Sequence, residues 1–147
     1  MAQGDIINNI PFYFIDSTGK EKKRKCMGMM ISNTCDAENR EYIIFCPCFT
    51  VDEFKELKID NIVSNTYYNL FYLPIKPSIE DNIVVNFSIT TSISRERILE
   101  NIDKNIINKC FSLNQFGYYY FIAKLTIHFM RPEDIQVQSS RTPSLTR

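Results

Sequence analysis

The 147-residue sequence is poor in the residues that announce common chemistries. It has one histidine, His128, and four glycines. No glycine-rich phosphate loop, H-E-x-x-H pair or nucleophile elbow is present, which leaves out the familiar nucleotide-cradling, zinc-protease and serine-hydrolase sites. Lysine plus arginine and aspartate plus glutamate each number 17, so the net charge is zero and no global field draws the chain to a polyanion. No apolar run is long enough to span a bilayer. The first residues lack the basic flank and apolar stretch of a secretory signal, and no internal repeat is evident. These absences point to a cytoplasmic protein with no membrane association.

Five cysteines, at positions 26, 35, 46, 48 and 110, are an odd number for a disulfide framework. Cys46-Pro47-Cys48 is C-x-C, not the C-x-x-C of zinc knuckles or dithiol sites. Cys35, Cys46, Cys48 and His128 have zinc-ligand chemistry. The preferred reading is reduced, mostly buried thiols, with no metal and no cofactor.

Charge is nevertheless distributed unevenly. Lys20, Lys22, Lys23, Arg24 and Lys25 form a basic run beside Gly19, read as a hairpin loop that could grip phosphates. Of these, Lys22, Lys23, Arg24 and Lys25 are the candidate nucleic-acid contacts. Aromatics at 67, 68, 71 and 72 could stack bases, or could equally form core.

Apolar residues make up 44% of the chain, enough for a core without staples. Short strand pieces are predicted at 4–7 and 12–15 around Pro11, with a turn at Ser17-Thr18-Gly19. Residues 27–31 and 42–46 read as buried strands, 51–57 as a short helix, 67–73 and 82–89 as strands. Ser94 can cap a helix starting at Arg95. After a loop near 109–111, Ser112-x-x-Gln115 matches a capping box. Leu113, Phe116, Tyr120, Ala123, Ile127 and Met130 then recur at helical spacing up to Pro132. Lys124, His128 and Arg131 share a helical face, read as exposed and basic. Strands first and helices later predict an α+β fold. Residues 1–136 form one domain, with helices over about 95–131, and 137–147 form a disordered tail.

Two features together carry a resemblance. Gly4-Asp5-Ile6-Ile7 opens the chain ahead of the basic run. An apolar strand ending in Ser32 is followed by a polar turn and a strand ending in Pro47-Cys48-Phe49-Thr50. Over roughly the first fifty residues this resembles the MazF/PemK family of toxin endoribonucleases. The resemblance implies a small SH3-like β-barrel, here with a helical C-terminal extension, and a toxin-like, RNA-interacting protein. It also implies metal-independent RNA cleavage, an antitoxin-like protein partner and a homodimer. The family's cleavage pair is the arginine of an Arg-Pro step and a hydroxyl closing the second strand. Alignment on Ser32 puts Cys26-Met27 at the Arg-Pro step, and alignment on Pro47 puts Phe49 at the hydroxyl. Arg24 and Thr50 are therefore displaced candidates. Ser32, Cys35 and Asp36 form a further candidate group, with Asp36 and Cys35 alternatively a plain loop turn. The competing reading is a non-catalytic protein- or nucleic-acid-binding module on the same barrel, from a phage-defence or mobile-element setting. Arg24 and Thr50 on opposite faces would end the enzyme reading; both meeting Cys35 and Asp36 in one groove would keep it.

Overall fold

The first hairpin sets the architecture. In the computed structural model, which describes residues 1–131, β1 (Ile6–Ile15) and β2 (Glu21–Met30) run antiparallel. Asp16 closes the turn: its Oδ1 accepts from the Thr18 and Lys20 backbone N–H groups and the Thr18 hydroxyl. Gly19 takes a φ of +80°, which suits a residue with no Cβ. The two pieces predicted around Pro11 are one strand. A bulge between Ile7 and Ile10, with Asn9 at φ +55°, absorbs the irregularity.

The basic run is a strand and not a loop, which corrects the sequence expectation. Pro11, Phe12, Tyr13 and Phe14 pair with Lys25, Arg24, Lys23 and Lys22. Cross-strand aromatic partners hold these charged residues in an extended ribbon that charge alone would not specify.

Beyond Met30 the chain enters α1 (Thr34–Asn39), capped by Asn33, and returns as β3 (Tyr42–Thr50) beside β2. A 3₁₀ turn (Val51–Phe54) replaces the predicted helix over 51–57 and leads to α2 (Ile59–Val63). The strand expected over 67–73 is β4 (Leu70–Leu73). The strand expected over 82–89 is the shorter β5 (Ile83–Asn86), and a further strand, β6 (Thr91–Ser94), follows beyond that range. Both pair antiparallel with β3, β5 at Cys48–Thr50 and β6 at Tyr42–Phe45, so they follow one edge with a break between them.

Ser94 caps α3 (Arg95–Asp103) as expected, its hydroxyl accepting from the Arg97 N–H. The predicted loop near 109–111 contains β7 (Lys109–Phe111), which pairs with Ile6 and Ile7 of β1. Helix α4 (Gln115–Met130) is capped by Asn114 and not by Ser112, whose hydroxyl donates to Asp5 Oδ1. Pro132 and the tail expected over 137–147 lie outside the described residues.

Among the described residues the result is α+β: one antiparallel seven-stranded sheet in the order β4-β5-β3-β2-β1-β7, with β6 also on β3, and four α-helices. Its hydrogen bonding is not closed, because β4 and β7 end the order. Strand alternation sends β2 and β3 side chains to two cores. Met29, Cys46 and Cys48 join Ile6, Phe71, Val85 and Phe87 beneath Phe121 of α4. Met30, Ile43 and Phe45 join Ile7, Ile10 and Phe12 beneath Ile98 of α3. A third cluster around Val51, Ile62 and Tyr72 lies under α2.

The predicted exposed basic face of α4 is also corrected. Lys124 is buried, and its Nζ donates to the Asn65 carbonyl at 2.9 Å and to the Tyr67 carbonyl. His128 is half-buried against Tyr68 and Phe87. Among the described residues, no helix is long and apolar enough to cross a membrane.

Candidate nucleic-acid interface

The five candidate catalytic residues do not share one groove. Ser32, Cys35 and Asp36 lie at the α1 end of β2 and β3, whereas Arg24 and Thr50 lie at the other end. Arg24 and Met30 alone are separated by six strand steps, roughly 20 Å.

At the α1 end each polar group has a structural partner. The Ser32 hydroxyl accepts from the Ile44 N–H at 2.8 Å, tying the connection to β3. The Cys35 N–H donates to Asn33 Oδ1, completing the helix cap. Asp36 pairs with Arg40 at 3.4 Å on the exposed side of α1. The Cys35 thiol is exposed, and the only imidazole lies on α4 against Tyr68 and Phe87.

At the other end, Arg24 and Thr50 are joined through Glu53. The Arg24 guanidinium donates to Glu53 Oε2. The Thr50 N–H, at 3.1 Å, and its hydroxyl, at 3.4 Å, donate to Oε1. Arg24 also lies over the Phe49 ring, 4.8 Å from its centroid. The hydrogen bond that Arg24 donates to Glu53 raises the Arg24 pKa. Burial pushes the Glu53 carboxyl up, but the Arg24 and Thr50 donors outweigh it and leave the carboxyl below its ordinary value. Sequence reading missed Glu53; the Thr50-x-x-Glu53 spacing, a capping pattern, was its only signal.

The cysteine and histidine ligand set weighed for zinc is dispersed. Cys46 and Cys48 are buried in the core under α4, Cys35 is exposed on α1, and His128 is on α4. Among the described residues, no group of three or more histidine, cysteine, aspartate or glutamate side chains is placed to hold a metal.

The basic ribbon separates its cations by face. Lys22 pairs with Asp16 at 3.5 Å and Arg24 with Glu53. Lys23 and Lys25 alternate with these, and Lys23 Nζ lies 5.2 Å from the centre of the Tyr13 ring. Lys23, Lys25 and Tyr13 line a cavity of about 200 Å³ with Arg97 from the first turn of α3. Asn9 and Asn101 add amide groups, and Ile10, Ile98 and Ile107 form an apolar floor. Three cations and no carboxylate line this cavity. Arg97 also reaches Glu100 at 3.3 Å, an exposed pair of the weak kind that a phosphate could displace. Neither Tyr13 nor Arg97 stood out in the sequence, because each lies on an element other than the basic run.

No family model matches this chain, and no curated protein matches it in sequence.

Proposed function

We propose that this protein interacts with RNA, binding a single strand along the β1–β2 ribbon. Phosphates meet Lys23, Lys25 and Arg97, and one base enters the cavity beside Tyr13. The cation-lined, carboxylate-free cavity with an aromatic rim carries this reading. Its size suits a single base or ribose and not a larger cofactor. Stacking supplies affinity without sequence preference, while the cations track the backbone. The SH3-like, MazF/PemK-type barrel belongs to the same proposal. It is supported by the antiparallel strand order and the bulged first strand.

The geometry favours binding over cleavage, because the candidate catalytic groups lie at two ends of the sheet. A metal-independent endoribonuclease is the second reading, and the contiguous Arg24, Glu53 and Thr50 groups favour it. There Glu53 would take the ribose 2′-hydroxyl proton as the 2′-oxygen attacks phosphorus, Arg24 would stabilise the phosphorane, and the protonated Glu53 would return the proton to the departing 5′-oxygen, leaving a 2′,3′-cyclic phosphate.

Fluorescence anisotropy with labelled single-stranded RNA tests binding. Three phosphate contacts give a log affinity against log salt slope of about −2. Lys25→Ala should flatten it by about 0.7, and Lys22→Ala, already paired with Asp16, should change it less. No binding at low salt, or equal effects of the two substitutions, would refute the RNA reading. Intact RNA after prolonged incubation would remove the second reading and leave the first.

A further inference from the structure

His128, the only histidine, sits where the last turns of α4 clasp the connection from α2 to β4. One turn earlier, Lys124 Nζ donates to the Asn65 and Tyr67 carbonyls of that connection. The His128 ring stacks on Tyr68, with 5.9 Å between centroids and an interplanar angle of 18°. It also meets Phe87, just beyond β5, at 5.8 Å, and Phe129 at 4.6 Å. Arg131 closes the group, its guanidinium 4.1 Å from the centre of the Tyr68 ring.

This setting suits a neutral imidazole and opposes a charged one. Among the described residues, His128 Nδ1 is buried with no hydrogen-bond partner. A neutral ring with its hydrogen on Nε2 leaves only a lone pair there. An imidazolium must place an N–H there with no acceptor, which is costly. The charged groups acting on the ring are Arg131 and Lys124, both cations at the same end of the chain's last described helix. The α2–β4 connection brings the Tyr68 phenol against it, and the chain after β5 brings the Phe87 carbonyl. The π face of Tyr68 would otherwise favour an imidazolium, but it already carries Arg131. Burial first, and then the two cations, lower the folded pKa, and the Phe87 carbonyl only partly offsets them.

We propose that His128 is a pH-sensitive latch: neutral, it holds the last turns of α4 on the connection over 65–68, and protonated, it releases them. Phe121, packed on Phe71 and Phe87 in the core, keeps the middle of α4 in place, so the release is local. The open form takes up the proton first as pH falls. The latch is therefore firmest above the ordinary value of 6.5 and weakens as pH drops through the folded one. It uses none of the RNA-contacting residues and stands apart from that reading.

The single histidine gives one imidazole signal, whose NMR titration in the full chain should have a midpoint below 6.5. Amide exchange over 124–131, corrected for the intrinsic effect of pH, should speed up severalfold between about pH 7.5 and 5.5. Its limit is about tenfold, reached if only the open form is protonated over that range. Protection over Arg95–Asp103 should not change. His128→Phe keeps an aromatic ring that gains no proton, and should abolish the pH dependence over 124–131. A midpoint at or above 6.5 overturns the inference on the wild-type chain alone. So does unchanged protection over 124–131, an equal loss in α3, or a pH dependence that survives in His128→Phe.

Discussion

Glu53 is a single carboxylate on which two strand ends depend. It receives Arg24 from β2 and the N–H and hydroxyl of Thr50 from β3. Its folded pKa lies below the ordinary value of 4.5. The unfolded chain therefore binds the proton first as pH falls. The stabilisation is complete above the unfolded value and is lost as pH drops through the folded one. Glu53→Gln keeps the shape but loses the charge, and should cost about 1 kcal/mol near neutrality. That difference should disappear at an acid pH below the folded value, where Glu53 is uncharged as well. Urea titrations of both proteins at the two pH values check this, and a gap independent of pH would refute it.

The cysteines divide just as sharply at this scale. Burial pushes the Cys46 thiol up to about 12, the Cys48 thiol well above its ordinary value, and the Cys26 thiol upward. The thiolate is the reactive form. Native-state alkylation near neutral pH, read by peptide mass spectrometry, should modify the exposed Cys35 and Cys110 and spare the other three. Rapid labelling of Cys46 or Cys48 would contradict their burial.

At the scale of elements, Gly28 shows how tightly β1 and β2 are joined. A Cβ there would meet Phe12 Cζ at 3.0 Å and Ile10 Cβ at 3.1 Å, both in the buried core under α3. Those atoms cannot swing into solvent, so Gly28→Ala should cost about 1–3 kcal/mol by overpacking. Chemical denaturation would measure it, and a neutral or stabilising result would show the hairpin to be looser than described. The same hairpin marks a limit of sequence reading. The Asp16–Gly19 turn and the Ser94 cap were legible because local hydrogen bonding creates them. The strand through Lys22–Lys25 was not, because its order comes from aromatic partners about ten residues away. β7 was hidden for the same reason: three residues become a strand only by pairing with Ile6 and Ile7, about a hundred positions earlier. Within the site, the basic run was visible, but its division between two faces was not. Periodicity located α4 well, yet the regular apolar stripe it highlighted faces outward, while a less regular set enters the core.

At the scale of the molecule, the sheet couples two cores that no single helix spans. β2 and β3 give Met29, Cys46 and Cys48 to the core under α4, and Met30, Ile43 and Phe45 to the core under α3. Losing either core would expose one side of the same strands, so the two should unfold together. Phe121 and Ile98 test this from opposite sides, each being at most 1% exposed. Phe121→Ala should cost about 3–5 kcal/mol and Ile98→Ala about 2–5 kcal/mol, through lost burial and the cavities left behind. Each variant should still show one transition, with far-UV dichroism and tyrosine fluorescence superimposing along the denaturant axis. Tyr118, Tyr119 and Tyr120, three of the eight tyrosines, give α4 a share of the fluorescence signal. If α4 were only an appended extension, Phe121→Ala would shift fluorescence to lower denaturant and leave the β-sheet dichroism in place. Coincident curves would instead establish α4 as part of the cooperative unit.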